Sequence, residues 1–302
     1  MFMEPMLMVR REHIFDDSNY IFEPMLDGQR LQISFIDNKA RLFTRHQYEV
    51  TSQYPELLNV PLHKPADVVL DGEVVYVNPA TGEVQFDTLI ERYRMTKAPR
   101  IRDAVKTMPL RFFVFDVLYY NGTDLRDRPL LERKQLLGEI LQNNDVYRKL
   151  PFIEKEGGKM FEIVRQLKLE GVACKEKNSV YTEGRSDDWV KVLHYQFAEL
   201  SIVGWRKSAP GWLVQHPLGG HDVMVDHGID RLTDKRLQAL TEPIAEERDI
   251  VRVAPGLSAS IKYAYLMKDG RLKGAELIKL ITHTSNNEIT DNSAKPLRLL
   301  QA

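Results

Sequence analysis

The sequence has only one cysteine, Cys174, in 302 residues. An intramolecular disulfide is therefore excluded, and a zinc site built on several cysteines is not expected. We expect Cys174 to be a buried residue without a chemical role. No segment approaches the roughly 18 apolar residues that a membrane-spanning helix needs. Residues 1–11 also lack the continuous apolar stretch of a signal peptide, so we expect a cytoplasmic protein without a membrane partner.

The sequence also lacks an excess of charge of either sign, because its 42 Lys and Arg residues balance 43 Asp and Glu residues. Net charge therefore does not indicate a polyanionic partner, although local patches decide phosphate binding more than the total does. An apolar share of 43% is typical of globular domains with buried cores. At about 100–200 residues per domain, the chain is long enough for two domains.

Strand and helix patterns alternate in the first two-thirds of the chain. Apolar, β-branched or aromatic residues form strand-like runs at 31–35, 40–43, 68–77, 110–119, 171–175 and 189–193. Asp37 and Asn38 separate the first two runs and favour a hairpin turn, and a polar turn is expected around Gly184 and Arg185. Residues 131–141 and 159–169 have apolar side chains at helical spacing. We therefore predict a mixed α and β domain over residues 1–195.

The pattern changes after Tyr195, where the apolar runs become shorter. They occupy residues 200–205, 212–215, 222–225, 250–253 and 260–266, with one helical stretch near 232–245. Five short strands and a helix fit a small β-barrel of the oligonucleotide-binding (OB) type, and they also fit other small barrels. We predict a second domain over residues 196–302.

One segment of the first domain has a pattern that indicates phosphate chemistry. Residues 22–30 read F-E-P-M-L-D-G-Q-R. The segment resembles E-x-K-x-D-G-x-R, the signature of covalent nucleotidyltransferases, in which the lysine attacks the α-phosphate of ATP and forms a lysine–AMP bond. A lysine can do so only where burial or neighbouring cations lower its pKa. Met25 stands at the lysine position, and its thioether cannot form a stable bond to an adenylyl group.

Further segments match this family in the same order along the chain. They are L-F-T-R at 42–45, D-G-E-V-V at 71–75, F-V-F-D-V-L at 113–118, E-G-V-A-C-K at 170–175 and W-V-K-V-L at 189–193. Alone, each has a plain structural interpretation, such as a turn at Asp71 or a core residue at Phe115. In this order they resemble the ATP-dependent DNA ligase family over about residues 4–195. Bacterial end-joining and phage-like ligases, with a catalytic domain and one OB domain, resemble the chain most in architecture.

The resemblance implies a fold and a set of site residues. The fold is α+β, with an adenylation domain of antiparallel sheets and helices followed by a small OB-fold barrel. The catalytic centre corresponds to Met25, Asp27 and Arg30. The residues that the resemblance assigns to ATP or AMP binding are Glu23, Leu26, Arg30, Arg45, Glu73, Phe115, Lys175 and Lys191. The cofactors are ATP and Mg²⁺ or Mn²⁺, with Glu73 and Glu170 as metal ligands.

Individual roles in nucleotide binding also follow from the resemblance. Glu23 is expected to face the adenine edge and Phe115 to stack on the adenine ring. The side chains expected around the ribose and the phosphates are Arg30, Arg45, Glu73, Lys175 and Lys191. Phosphoryl-type transfer depends mainly on such positioning and charge neutralisation.

Three features of the chain depart from the family. The first is Met25. Leu193 occupies the position of a second lysine in W-x-K-x-K, so one phosphate contact is expected to be absent. The second domain also lacks a clear R-x-D-K motif. Met25 is explained either by an engineered substitution that stops self-adenylation or by natural descent to a non-catalytic relative. We favour engineering, because the surrounding pocket residues are retained.

The resemblance implies an ATP-dependent DNA ligase that acts as a monomer on nicked duplex DNA. Such an enzyme joins a 5′-phosphate to a 3′-hydroxyl group through enzyme–AMP and DNA–AMP intermediates. In this chain Met25 is expected to abolish self-adenylation but to leave sealing of pre-adenylated nicks. The alternatives are a non-catalytic nucleotide- or nick-binding relative and an RNA ligase or capping enzyme, which fits residues 115–133 less well.

Overall fold

The computed structural model of the protein describes residues 1–216, 219, 222–267 and 270–282. Two compact units are present, Met1–His194 and Tyr195–Ala302, and the end of the predicted second domain lies outside the described residues. None of the helices among the described residues is long and apolar enough to span a membrane. Each unit has its own hydrophobic core.

The first unit is built on two β-sheets. Sheet I contains, in spatial order, β1 (Met6–Arg10), β11 (Gly184–Leu193), β10 (Gly171–Glu176), β2 (Asp17–Met25) and β9 (Ile153–Lys155). Sheet II contains β4 (Lys39–Thr44), β3 (Gln29–Ile36), β5 (Val68–Tyr76), β6 (Leu110–Tyr120) and β7 (Thr123–Asp124), with β8 (Tyr147–Lys149) beside β6. Neighbouring strands are antiparallel except for the parallel pairs β1 with β11 and β6 with β8.

Four helices and two 3₁₀ turns accompany the sheets of this fully described unit. They are α1 (Phe86–Tyr93), α2 (Ala98–Thr107), α3 (Leu130–Ile140), α4 (Gly157–Gln166) and the turns Thr51–Gln53 and Pro55–Leu57. Helix α4 packs Met160 and Val164 against Phe22, Val172 and Val192 on the outer face of sheet I. Because successive residues of a strand point to opposite faces, the neighbours of these strand residues lie on the inner face.

The inner faces of the two sheets meet in an apolar core. It includes Met6, Ile21 and Trp189 from sheet I and Val69 and Leu118 from sheet II, all of which are buried. Burial of each such side chain stabilises the folded state by about 1.5–3 kcal/mol relative to exposure. A larger core lies on the opposite face of sheet II and includes residues of α1 and α3. Sheet II is therefore covered on both faces.

The second unit is a ring of short strands with one helix. Its elements are β12 (Gln196–Arg206), β13 (Trp212–Val214), β14 (Val223–Val225), α5 (Arg231–Leu240), β15 (Pro243–Glu247), β16 (Ile250–Val253), β17 (Leu257–Tyr263) and β18 (Glu276–Thr282). Strand β12 pairs with β13, which pairs with β14. A bridge between His227 and Glu276 links the end of β14 to β18, and β18 returns through β17 to β12. The pairings therefore form a closed circuit.

The predicted α+β class with mainly antiparallel sheets is confirmed. The hairpin is confirmed as well, because β3 and β4 are joined at Asp37 and Asn38, which both have positive φ. A two-residue hairpin turn favours this conformation, which asparagine and aspartate tolerate better than most residues. The two predicted helices of the first domain correspond to α3 and α4, although α4 ends at Gln166.

Two local predictions are wrong. Gly184 and Arg185 do not form a turn, because they begin β11 and pair with Met6 and Leu7 of β1. A pairing between segments at opposite ends of a domain leaves no trace in a local sequence pattern. The helix predicted near residues 232–245 ends at Leu240, and residues 243–247 form β15, which pairs with β16.

Helix α3 is tied to sheet II by a buried ion pair between Arg133 and Asp116. The distances are 2.8 Å from Nε to Oδ1 and 2.9 Å from Nη2 to Oδ2. Arg133→Ala leaves the buried Asp116 carboxylate unpaired, so we predict a loss of about 3–5 kcal/mol in the free energy of unfolding. Arg128→Ala, at an exposed arginine just before the same helix, is the control and should change it by less than about 0.5 kcal/mol. Urea denaturation measures both, and equally small losses would contradict the prediction.

Candidate functional site

A pocket of about 120 Å³ lies between the inner faces of sheets I and II. Eight of the eleven predicted site residues line it: Glu23, Met25, Leu26, Arg30, Glu73, Phe115, Glu170 and Lys175. Several other lining residues are apolar, among them Met8, Leu150 and Trp189. Motifs that are far apart in the sequence therefore meet at one place in the fold.

Sheet I presents three rows of side chains on its inner face. Directly paired residues of antiparallel strands have side chains on the same face of the sheet. Across β2, β10 and β11 the rows are Ile21–Lys175–Trp189, Glu23–Ala173–Lys191 and Met25–Gly171–Leu193. The first two rows each contain a lysine, whereas the third row carries no charged side chain.

Glu23 is fully buried in the middle row and is held by two lysines. The Nζ atom of Lys175 lies 2.7 Å from Oε2 of Glu23, and Lys134 of helix α3 binds Oε1. Burial alone would raise the pKa of Glu23, but the two ammonium groups outweigh it and hold the pKa below its usual value. One carboxylate therefore joins β2, β10 and α3.

Lys175 lies between two aromatic rings of the pocket. Its Nζ atom is 3.9 Å from the ring centre of Trp189 and 4.3 Å from that of Phe115. Burial lowers the pKa of Lys175 to about 8, although the Glu23 carboxylate opposes the change. The ammonium group covers the Phe115 ring, which the sequence predicted to stack on adenine. A base can stack on that face only after the Lys175 side chain has moved.

Arg30 is part of a network that connects β3, β5 and the β10–β11 connection. Its guanidinium donates two hydrogen bonds to Asp71, at 3.1 and 2.7 Å, one to the Met6 carbonyl at 2.7 Å and one to the Tyr181 hydroxyl at 3.0 Å. The Tyr181 hydroxyl donates in turn to Asp71 at 2.6 Å. These bonds use four of the five N–H groups of an arginine. Arg30 therefore mainly connects the two sheets, and only one of its N–H groups remains for a hydrogen bond to a ligand.

Carboxylates collect at the Met25 end of the pocket. Burial raises the pKa of Glu73 well above its usual value, Arg30 opposes this, and the negative charges of Glu170 and Asp27 add to it. Glu73 and Glu170 both line the pocket, and the Glu170 amide donates to the Met25 carbonyl at 3.3 Å. Carboxylate oxygens suit a divalent cation such as Mg²⁺, which also uses waters and substrate phosphates. Among the described residues no group of three metal-binding side chains is close enough to form an all-protein site.

Three predicted site residues do not line the pocket. Asp27 lies in the turn between β2 and β3, next to Gly28, where an added Cβ would lie only 2.3 Å from the Val74 carbonyl oxygen. Lys191 lies on the inner face of β11, in the row of Glu23. Arg45 is exposed in the turn after β4, and its Nε donates to His46 at 2.9 Å. The sequence-based role of Arg45 in nucleotide binding therefore has no support from this pocket.

The sequence interpretation missed three residues that hold the site together. Lys134 follows Arg133 in a charged helical segment, where a lysine ordinarily faces solvent, yet it is buried against Glu23. Asp71 was included in the D-G-E-V-V motif without a role of its own, and Tyr181 lies in a polar connection without a motif. A signal was available for Asp71, because a carboxylate in an otherwise apolar strand needs a buried partner. Tyr181 had no comparable signal.

Comparison with known proteins gives consistent results. The model described as ATP dependent DNA ligase domain matches residues 5–192. The SPbeta prophage-derived DNA ligase-like protein LigB of Bacillus subtilis (strain 168) is 31% identical over 274 residues, which covers 90% of this chain and 97% of that protein. DNA ligase 2 of Korarchaeum cryptofilum (strain OPF8) is 34% identical over 176 residues, which covers 55% of this chain and only 29% of that protein.

Solved structures resemble both the fold and the length of the chain. A mycobacterial DNA ligase D complexed with ATP and MES is 25% identical, with a TM-score of 0.53, and the match covers 93% of this chain and 95% of that one. A Lig E DNA ligase is 18% identical with a TM-score of 0.63, and that match covers 91% of this chain and 98% of the other. At this lower identity the second likeness shows the fold alone.

The raised pKa of Glu73 predicts how its replacement changes stability with pH. A carboxyl group whose pKa is higher in the folded than in the unfolded state favours folding at low pH, and this contribution is lost as the pH rises through the folded value. Glu73→Gln removes the ionisation. The free energy of unfolding of the variant should therefore equal that of the parent at about pH 4.5 and exceed it increasingly toward about pH 8. Glu139→Gln, at an exposed glutamate of α3, is the control. A variant that is less stable than the parent at pH 8 would contradict the prediction, which urea denaturation at several pH values can test.

Proposed function

The chain belongs to the ATP-dependent DNA ligase family, and we propose that it seals nicks in duplex DNA from the adenylated intermediate rather than from ATP. Ligation in this family transfers AMP to a lysine, then to the 5′-phosphate of a nick, and ends with attack by the 3′-hydroxyl group. Only the last step does not pass through the lysine. This chain can therefore perform one step without any group that residue 25 would supply.

The observation that carries the proposal is Met25 in a pocket that is otherwise retained. Capture of AMP needs an amine that attacks the α-phosphorus, releases pyrophosphate and leaves a phosphorus–nitrogen bond. Methionine has no amine in its side chain, so this bond cannot form at residue 25. Glu23, Phe115 and Lys175 still line the pocket. The proposal is the same whether the methionine was introduced by engineering or inherited.

In the sealing step, the 3′-hydroxyl oxygen forms a bond to the 5′-phosphorus, AMP leaves, and the hydroxyl proton is released to solvent. This chain's contribution is to bind the AMP group and to position it. Glu23 and Phe115 offer the adenine a hydrogen-bonding edge and an aromatic face, and Lys175 offers a positive charge within reach of both. A divalent cation at Glu73 and Glu170 supplies further neutralisation of phosphate charge when bound.

We further propose that the two compact units correspond to an adenylation domain, residues 1–195, and an OB-fold domain, residues 196–302. The OB-fold assignment of the second unit is supported by its closed circuit of strands. It is also supported by helix α5, which lies along the chain between β14 and the strands β17 and β18 that complete the circuit. An OB domain offers a surface for nucleic acid. Binding of a monomer to nicked duplex would depend mainly on phosphate contacts and weaken with salt.

A second candidate function is binding of a nucleotide or a nick without catalysis. Two features favour it: Met25 removes the nucleophile, and Lys175 covers the Phe115 ring. RNA ligation or capping on the same fold is a third candidate, supported only by the shared first motif. The three differ in whether a sealed product appears and in which nucleic acid carries the nick.

The proposal predicts that the chain seals a pre-adenylated DNA nick in the absence of ATP and does not seal a 5′-phosphate nick in its presence. Both products can be separated by denaturing gel electrophoresis. Phe115→Ala removes the aromatic face and should slow sealing of the adenylated nick by about tenfold, consistent with about 1–3 kcal/mol for base stacking. Tyr48→Phe, at an exposed aromatic residue, is the control.

Binding of the adenylated nick without any sealed product would favour the non-catalytic alternative. Sealing of the 5′-phosphate nick with ATP would contradict the proposal, because it would show that adenylyl capture survives. Product from an adenylated RNA nick but not from the DNA nick would favour the RNA-directed alternative.

A further inference from the structure

We propose that the pocket of this chain selects an adenosine monophosphate group, free or joined by a pyrophosphate linkage to a nucleic-acid end, over the triphosphate of ATP. The inference rests on the proposed function and adds a ligand preference to it. Three observations carry it: an apolar row at one end of sheet I, the pairing of the pocket's cations, and the carboxylates beside that row.

The apolar row is Met25–Gly171–Leu193. Both outer residues pair with Gly171, and all three therefore belong to the inner face of sheet I. Gly171 cannot be replaced by a larger residue, because an added Cβ would lie 2.3 Å from the Val192 carbonyl oxygen and 2.9 Å from the Leu193 Cα. Met25 and Leu193 are thus two strand spacings apart, about 10 Å, with no side chain between them. This end of the inner face offers phosphate oxygens neither a charge nor a hydrogen-bond donor from a side chain.

Three of the four cations around the pocket are already paired with carboxylates. Arg30 is bonded to Asp71, and both Lys134 and Lys175 are bonded to Glu23. Among the described residues, the charged side chains that we place around the pocket are the cations Arg30, Lys134, Lys175 and Lys191 and the carboxylates Glu23, Asp27, Asp71, Glu73 and Glu170. Four cations do not exceed five carboxylates. The pocket therefore has no surplus of positive charge.

The distribution of charge also differs from one part of the pocket to another. Lys175, which is paired with Glu23, lies beside Phe115 and Trp189, at the end that suits a nucleoside. Glu73 and Glu170 also line the pocket, and Glu170 lies beside Met25, because its amide donates to the Met25 carbonyl. The family resemblance places the α-phosphate beside residue 25, so the further phosphates of a nucleotide would extend from there. AMP carries about two negative charges near neutral pH, and the β- and γ-phosphates of ATP add about two more. The added charges would meet apolar side chains and carboxylates, so their attraction to the pocket is lost.

A pyrophosphate that carries a substituent at each end, as found at an adenylated DNA end, has about two negative charges in total, the same as AMP and about two fewer than ATP. The pocket is thus matched to the intermediate that the last step of ligation consumes. It is poorly matched to the nucleotide that the first step consumes. Leu193 is the specificity-determining position in this account, because it can be given a cation without touching residue 25.

The test is isothermal titration calorimetry of the full chain with AMP and with ATP, in buffer that contains EDTA. We expect AMP to bind at least as tightly as ATP. Leu193→Lys should tighten ATP binding by about tenfold, or about 1.4 kcal/mol, and AMP binding by no more than about threefold. Leu193→Met adds no charge at the same position, and Leu167→Lys adds the same charge at an exposed leucine away from the pocket. Neither control should change the ratio of the two affinities.

The inference is overturned if the parent binds ATP at least tenfold more tightly than AMP, or if Leu193→Lys strengthens both ligands equally. Absence of binding by either nucleotide overturns it as well. These outcomes are separable from the proposed function, because sealing of an adenylated nick is measured independently. If the chain seals such nicks but binds ATP more tightly than AMP, the proposed function is supported and the proposed ligand preference is contradicted.

Discussion

The structure of the pocket depends on one buried carboxylate, Glu23, and on the two ammonium groups that bind it. Lys175 comes from the neighbouring strand β10 and Lys134 from helix α3, so the interaction fixes three elements around one point. Removing one partner of such a buried pair typically costs about 3–5 kcal/mol, because the remaining charge loses its compensation. Glu23 therefore has a structural role in addition to its expected contact with adenine, and its carboxylate opposes the lowering of the Lys175 pKa that burial of the lysine causes.

A second network of hydrogen bonds shapes the pocket and does not involve residue 25. Arg30, Asp71 and Tyr181 bind one another and hold β3, β5 and the β10–β11 connection together. Met25 takes part in neither network. Its side chain lines the pocket and carries no charge. A substitution at residue 25 can thus change the chemistry of the pocket without breaking either network. A substitution at Glu23 or Arg30 would change both the chemistry and the interactions that hold the fold. Like residue 25, Leu193, which flanks Gly171 on the other side, takes part in neither network.

The sequence was sufficient to predict eight of the residues that line the pocket and most strands of the first domain. It predicted the β3–β4 hairpin because Asp37 and Asn38 have a local conformational preference. It did not predict β1 or the start of β11, because their pairing joins distant segments. Lys134 was missed for a related reason, since a lysine in a charged helical segment shows its burial only after the helix has packed. Neither the motif of Glu23 nor that of Lys175 indicates that the two residues pair, or that Lys175 then covers the Phe115 ring.

The central claim is that this chain has a nucleotide pocket and lacks the group that captures AMP. Intact-protein mass spectrometry after incubation with ATP and Mg²⁺ tests it most directly, with Met25→Lys beside Met8→Lys, since both methionines line the pocket. The account predicts that the parent and Met8→Lys keep their masses and that Met25→Lys gains one AMP. Addition of AMP to the parent at any residue, or a Met25→Lys protein that remains unmodified, would contradict it.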